Sequence, residues 1–356
     1  MRHALSLAGR GLGQVWPNPA VGCVIVQKGR VVGRGRTQPG GRPHAERVAL
    51  DQAGNSAQGA NAYVTLEPCA HHGQTPPCAD ALIEAGVSRV VVALGDPDAR
   101  VAGRGIAMLR NAAIDVVTGV EEVTARRLQA GFLSRVLKGR PALTLKLALT
   151  LDGRIATASG ESRWITGPDA RRRVHAERAR HDAVLVGAGT ARIDDPDLTV
   201  RNLGVSYQPV RIVASRHLRL PATARLFKGS DKAPVWLLHD EDSSGDARTF
   251  EEAGARLLGV PSRGSHLDVT AMMKRLGDEG LTRVFCEGGG TLAASLLSAG
   301  LVDELLVFGA GLVLGAEGQP GLGALGVSAL AEAPRFDLDS VENVGGDVMQ
   351  RWVSRA

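Results

Sequence analysis

The residues of this chain best suited to chemistry are His44 and Glu46, in Pro43-His44-Ala45-Glu46, together with Cys69 of Pro68-Cys69 and Cys78. One neutral imidazole and two thiolates make good zinc ligands, and a catalytic zinc keeps its fourth position for water. That water has its pKa lowered toward about 7. Glu46 stands two residues after His44, on what reads as the opening turn of a helix, so it can lean over a metal without ligating it. A carboxylate there can take a proton from water and pass it to a substrate nitrogen.

Zinc deaminases of bases combine His-x-Glu with Pro-Cys-x-x-Cys. Here eight residues, Ala70 to Pro77, separate the two cysteines. A looped-out insertion still lets both sulfurs reach a zinc at ~2.3 Å when the second cysteine opens a helix, whose N-terminus also favours the thiolate. A structural zinc would want a fourth protein ligand, which His71 or His72 could supply, but it would leave Glu46 without a role. Otherwise His71 and His72 are expected to touch substrate or to brace the cysteine loop.

The second half offers weaker chemistry. Gly187-Ala188-Gly189-Thr190 follows an apolar strand, and Glu287-Gly288-Gly289-Gly290-Thr291 lies between a strand and a helix. Such turns let backbone N–H groups approach a phosphate, but they also serve as plain tight turns. Neither is a full Gly-x-Gly-x-x-Gly, so a standard Rossmann domain is not supported. Arg178 and Arg201, with Ser162 near Trp164, could hold phosphate oxygens or could be solvated surface side chains.

These residues must be positioned by an alternation of strands and helices. The first half reads as strand Ala20 to Gln27, a turn at Lys28-Gly29, strand Arg30 to Gly35, helix His44 to Ala53, strand Ala62 to Leu66 and helix Cys78 to Ala85. Strand Val90 to Leu94, helix Ala107 to Ala112, strand Ile114 to Val117 and one long helix Glu121 to Leu137 follow. Lys138-Gly139-Arg140-Pro141 breaks the pattern and marks a domain boundary, giving domains 1–139 and 140–356. The second half reads as strand Ala142 to Leu149, helix Pro168 to Ala179, strands Ala183 to Val186, Val210 to Ala214 and Val235 to Leu238, and helix Val269 to Leu276. Strand Arg283 to Cys286, helix Thr291 to Ala299 and strand Glu304 to Phe308 complete it, with loops at Asp240 to Asp246 and Gly309 to Gly326. A mostly parallel sheet covered by helices is expected.

The chain has 356 residues, enough for two domains, with 44% hydrophobic and 22% charged residues. Aromatics at 3% argue against a stacking-based single-strand nucleic-acid binder. A net charge of +5 suits an anionic small substrate or nucleic acid and does not choose between them. Four cysteines are too few for a disulfide scaffold, Met1-Arg2-His3-Ala4-Leu5 has no signal-peptide character, and no apolar run reaches the ~18 residues of a membrane span. A cytoplasmic setting is expected.

Several motifs together resemble the bifunctional riboflavin-biosynthesis deaminase/reductase family, and the likeness runs along nearly the whole chain. In the first half they are Asn18-Pro19-Ala20-Val21-Gly22, Pro43-His44-Ala45-Glu46, Thr65-Leu66-Glu67-Pro68-Cys69 through Cys78, Gly95-Asp96-Pro97-Asp98 and Val101 to Gly105. In the second they are Lys146-Leu147-Ala148, Leu151-Asp152-Gly153-Arg154, Gly160 to Thr166, Asp194 to Arg201 and Glu287 to Thr291. The resemblance implies an α/β protein with a cytidine-deaminase-like N-terminal domain and a dihydrofolate-reductase-like C-terminal domain. It implies zinc on His44, Cys69 and Cys78, a proton shuttle at Glu46 and a substrate contact at Asn18. It also implies NADPH contacts at Ala148, Trp164, Thr190, Asp194, Ser215, Gly289, Gly290, Thr291, Leu292, Ala293, Ala294 and Ser295. Ser162, Arg178, Leu198, Arg201 and Glu287 would touch a phosphoribosyl substrate, and Lys146 and Asp194 are candidates for proton transfer. The expected partners are phosphoribosyl-pyrimidines and further copies of the chain as a dimer or tetramer, with no nucleic acid and no membrane. Two rivals share the zinc pattern: a nucleic-acid base deaminase fused to another module, and a non-catalytic zinc-stabilised binding protein.

Overall fold

The computed structural model describes residues 1–71, 76–98, 101–243 and 247–355, and the chain divides into two compact units, Met1–Gly139 and Arg140–Ala356. His72, Gly73, Gln74 and Thr75 of the cysteine loop lie outside the described residues.

Met1–Gly139 is built on a five-stranded mixed sheet in the order Arg30–Arg36, Gly22–Gln27, Asn61–Val64, Arg89–Val92, Asp115–Thr118. The first two neighbour pairs are antiparallel and the last two parallel. Lys28 and Gly29 both take positive φ, 48° and 75°, as a tight two-residue hairpin turn needs. The helix Ala45–Ala53 packs on this hairpin, burying Ala45, Ala49, Leu50 and Ala53. The periodicity predicts one helix from Glu121 to Leu137, whereas the structure has two, Glu122–Leu128 and Ala130–Lys138. The break is at Gln129, whose buried side-chain amide donates to the Ala20 carbonyl at 2.7 Å, and Gly131 just after it weakens helical continuity. Gly139, at φ 67°, closes the second helix in the left-handed conformation.

Arg140–Ala356 is built on a nine-stranded sheet among the described residues. Its order is Ala255–Val260, Val235–Asp240, Val210–Ala214, Ala183–Gly187, Arg283–Cys286, Ala142–Thr150, Glu304–Ala310, Asp347–Ser354, Phe336–Val344. The first seven run parallel and the last two form an antiparallel hairpin on the edge. The helices Pro168–Arg178, Val269–Asp278 and Gly290–Ser298 lie close to their sequence-expected limits. Asp268 caps the second by accepting from the Thr270 and Ala271 amides at 2.8 and 3.1 Å. The helix Ala188–Asp194, the helix Ala247–Glu252, the strand Ala255–Val260 and the edge hairpin are elements the sequence reading does not assign. Gly309 to Gly326 is largely loop, but Gln319–Pro320 pairs with the short strand Arg154–Ala156. Ser244 to Asp246, part of the other expected loop, lies outside the described residues. Among the described residues no helix is long and apolar enough to cross a membrane.

Candidate active site

In Met1–Gly139 the metal candidates converge from three elements. His44 is the residue before the helix Ala45–Ala53, with extended φ and ψ of −70° and 161°. Cys69 follows the strand Asn61–Val64, and Cys78 is the first residue of the helix Cys78–Glu84. The Cys78 backbone N–H donates to Cys69 Sγ at 3.2 Å, so the helix N-terminus faces the first sulfur. His44 Nδ1 lies 3.3 Å from Cys78 Sγ and 3.7 Å from Cys69 Sγ, and the three ligand atoms are within 4.8 Å of one another. Among the described residues His71 is not part of this group, and its buried Nδ1 has no hydrogen-bond partner there.

The chemistry of this donor set fits zinc. The Cys78 thiol and backbone N–H, with His44, bring the Cys69 thiol down to about 4 against the opposing effect of burial, so one sulfur is held as thiolate. The hydrogen bond with Cys69 raises His44 above its ordinary value. Glu46 is 3% exposed, in the first turn of its helix. Burial, then the charge on Cys69, pushes its carboxyl up to about 7, and it interacts with the Cys78 thiol. Two residues support the site that the sequence reading passes over. Glu67 is buried and accepts backbone N–H groups from Asp96 (3.3 Å), Gly103 (3.1 Å), Gly105 (3.0 Å) and Ile106 (3.3 Å), tying that segment to the stretch that carries Cys69. Gly41, at φ 87°, leaves room for Asn18: a Cβ there would fall 1.9 Å from Asn18 Nδ2. The only sequence signal for this is the Gly40-Gly41 pair.

In Arg140–Ala356 the candidates gather at the carboxyl ends of the parallel strands, where open α/β sheets bind ligands. Thr190 and Asp194 are on the helix that follows strand Ala183–Gly187, and a Cβ on Gly289 (φ 78°) would lie 3.3 Å from Thr190 Oγ1. Gly290 to Ser295 form the start of the helix Gly290–Ser298, in which Ala293 and Ala294 are buried and Ser295 Oγ donates to the Thr291 carbonyl at 3.0 Å. Leu292 packs near Gly187, Ala148 pairs with Phe308, and Ser215 is buried one residue beyond strand Val210–Ala214. Trp164 is 68% exposed, with the Arg171 guanidinium 4.6 Å from its ring centroid, and Ser162 is half-buried beside it.

Lys146 feels the charges of Glu287, Arg178 and Asp194. Burial pushes the Lys146 ammonium below its ordinary value and Arg178 adds to this, while Glu287 and Asp194 oppose it. Burial alone would raise Glu287, but the Arg178 guanidinium outweighs it and holds the carboxyl below its usual range. Arg178 is not a free phosphate fork: it grips Glu287 with Nε and Nη2, and its Nη1 donates to the Thr199 carbonyl at 2.9 Å. Arg201 is drawn to Asp197 at 2.6 Å, and Leu198 is buried. His175, unassigned by the sequence reading, accepts the Arg201 backbone N–H at 3.3 Å.

Residues 1–94 match the family model for the cytidine and deoxycytidylate deaminase zinc-binding region, and residues 141–350 match the RibD C-terminal domain. The riboflavin biosynthesis protein RibD of Escherichia coli is 46% identical over 355 residues, which cover 98% of this chain and 96% of that protein. The chain belongs to the RibD family. Membership makes it a bifunctional deaminase/reductase of riboflavin biosynthesis, with a zinc-binding deaminase domain and an NADPH-using reductase domain. The family likeness extends to solved structures. Acinetobacter baumannii RibD matches 100% of this chain and 98% of its own, with a TM-score of 0.89 at 39% identity. A Thermotoga maritima diaminohydroxyphosphoribosylaminopyrimidine deaminase/5-amino-6-(5-phosphoribosylamino)uracil reductase matches with a TM-score of 0.88 at 34% identity.

Proposed function

We propose that Met1–Gly139 hydrolyses the 2-amino group of 2,5-diamino-6-(5-phosphoribosylamino)pyrimidin-4-one, and that Arg140–Ala356 reduces the ribosyl group of the resulting 5-amino-6-(5-phosphoribosylamino)uracil to ribityl. The observation that carries the first assignment is the convergence of His44, Cys69 and Cys78 with the buried Glu46 carboxylate beside them. His44, Cys69 and Cys78 would hold zinc, which when bound acidifies water and so supplies a nucleophile at neutral pH. Glu46, too close to the ligands to be bystander surface and not one of them, takes the water's proton and hands it to the leaving nitrogen. Asn18 presents its amide to the pyrimidine or ribose.

In the second unit, the turns at Gly187–Thr190 and Glu287–Thr291, with Trp164, Ser215, Ala148 and residues 289–295, would hold NADPH, which when bound supplies the reducing equivalents. Lys146 stands among Glu287, Arg178 and Asp194, where an ammonium of lowered pKa donates a proton to the departing ribose ring oxygen. Arg178 sets the Glu287 carboxylate, and Ser162, Leu198 and Arg201 line the phosphoribosyl group. We further read the protein as cytoplasmic and as a homo-oligomer, whose state sedimentation would measure.

The experiment is one reaction containing the phosphoribosyl diaminopyrimidinone and NADPH, with ammonia and NADPH both followed. Ammonia first, then loss of NADPH, is expected. Ammonia without NADPH loss would overturn the second assignment, and neither signal from zinc-loaded folded protein would overturn both and favour the binding-protein reading.

A further inference from the structure

Asp194, Leu198 and Arg201 lie on one segment, residues 194–202, whose backbone follows a costly course. Asp195, Leu198 and Asn202 have φ of 40°, 56° and 62°. L-residues avoid this region because the Cβ crowds the backbone, and a leucine there is the rarest of the three. Such a segment persists only when its surroundings over-determine it.

They do so from several elements. Helix Pro168–Arg178 reaches it with Arg178, donating to the Thr199 carbonyl at 2.9 Å, and with His175, accepting the Arg201 N–H at 3.3 Å. Gln208 clasps Val200 both ways, accepting its N–H at 2.7 Å and donating to its carbonyl at 3.0 Å. The Arg225 backbone N–H donates to Asp195 Oδ1 at 2.8 Å, and the Asp197 carboxylate receives the Arg225 and Arg201 guanidinium groups. Beneath lies Arg211, donating from Nη1 to the Asp197 carbonyl at 3.4 Å.

Arg211 is the anomaly. It is 1% exposed in the middle of a parallel sheet, paired in register with Val184 and Val235 and flanked along its strand by the buried Val210 and Ile212. A buried guanidinium is ordinarily matched by a carboxylate, because desolvating it unpaired is costly. Among the described residues, the hydrogen-bond acceptors of Arg211 are two backbone carbonyls, those of Asp197 and Ala233, and the Asp197 carboxylate acts on it through its charge without accepting a bond. An apolar side chain would fill the place without that cost, so the donors themselves are what this position supplies. They join the loop before strand Val235–Asp240 to the middle of the 194–202 segment.

We propose that Arg211 is a positioning residue of the reductase, anchoring the 194–202 segment from below through the Asp197 carbonyl so that Leu198 and Arg201 meet the phosphoribosyl substrate. This rests on the reading of that segment as a substrate contact. The test uses full-length Arg211→Met and Gln208→Met. Three quantities are measured: KM and kcat for reduction of the phosphoribosylaminouracil, ammonia release by the same chain, and amide hydrogen exchange. Arg211→Met should raise KM about tenfold, with a smaller change in kcat, as misplaced contacts do. Ammonia release should not change. The Val200 and Arg201 amides should exchange faster while those of Val210 to Ala214 stay protected. Gln208→Met should raise KM in the same direction and should free the Val200 amide directly, since that N–H donates to Gln208. Unchanged KM and exchange in both variants would overturn the proposal. Equal loss of protection in the segment and the strand would overturn it too, since Arg211 would then support the sheet at large. A wild-type protein without reductase turnover would sink the substrate reading, while the exchange comparison would still decide the anchoring.

Discussion

In Met1–Gly139 the chemistry is packed into a small volume, with three ligand atoms inside 4.8 Å and one buried carboxylate next to them, all drawn from residues 44 to 78. In Arg140–Ala356 the charged groups come from residues as far apart as Lys146 and Glu287, and neighbouring backbone turns complete the site. A metal centre needs few donors at short range, so a compact motif suffices to build it. A site for an extended cofactor and a phosphoribosyl group needs many shallow contacts, which only a whole sheet edge can present. The difference predicts that single substitutions cut deepest in the first unit and are more graded in the second.

The largest effect should come from Glu46→Gln, which removes the proton carrier and keeps the shape. Ammonia release should fall by ~10²–10⁴-fold, with zinc content retained and NADPH oxidation on the deaminated substrate unchanged. Near-normal ammonia release with zinc bound would break the comparison on its stronger side. Lys146→Met should lower kcat of the reduction by ~10²-fold and leave ammonia release alone. If both activities fell together, the substitution would be reporting on folding, and the proton-donor role would lose its support.

Gly41→Ala sharpens the contrast within the first unit, because the three atoms nearest the new Cβ all belong to Asn18, at 1.9, 2.6 and 2.9 Å. KM for deamination should rise about tenfold at constant zinc content. An unchanged KM would mean that Asn18 does not meet the substrate.

The smallest effect concerns stability and belongs to the second unit. His181 is buried, donating from Nδ1 to the Glu177 carbonyl at 2.7 Å and accepting the Thr144 hydroxyl at Nε2 at 3.0 Å. Burial, then the nearby Arg283 charge, takes it from 6.5 down to about 4. The unfolded chain therefore binds the extra proton between those values, and stability falls as pH drops through that window. From pH 6.5 to about pH 5.5 the loss should be about 1 kcal/mol. Denaturant melts of the wild type and His181→Gln should show the variant losing less over this interval, and parallel losses would remove His181 from the account.

Much of the architecture could be read from periodicity. The Lys28-Gly29 hairpin, the helix after His44 and the alternation behind the large sheet all follow from local patterns of apolar residues and turn chemistry. The edge hairpin Phe336–Val344 and Asp347–Ser354 had a signal in Gly345-Gly346 between two alternating runs. The split of the helix at Gln129 had only a weak one in Gly131, because the Ala20 carbonyl that captures the Gln129 amide is 109 residues away in sequence.

By itself, then, the amino-acid sequence determined which chemistry was possible, since His44, Glu46, Cys69 and Cys78 are few, distinctive in type and confined to a short span. It could not decide what each arginine does. Arg178, Arg201 and Arg211 are alike as letters, yet one braces Glu287, one leans on Asp197, and one is buried beneath a loop, donating to the carbonyls of Asp197 and Ala233. The same holds for Gly41 and Glu67, whose partners are distant in the chain. A charge or a missing Cβ acquires a role only from what lies within a few ångströms of it, and that is set by the packing of the sheets.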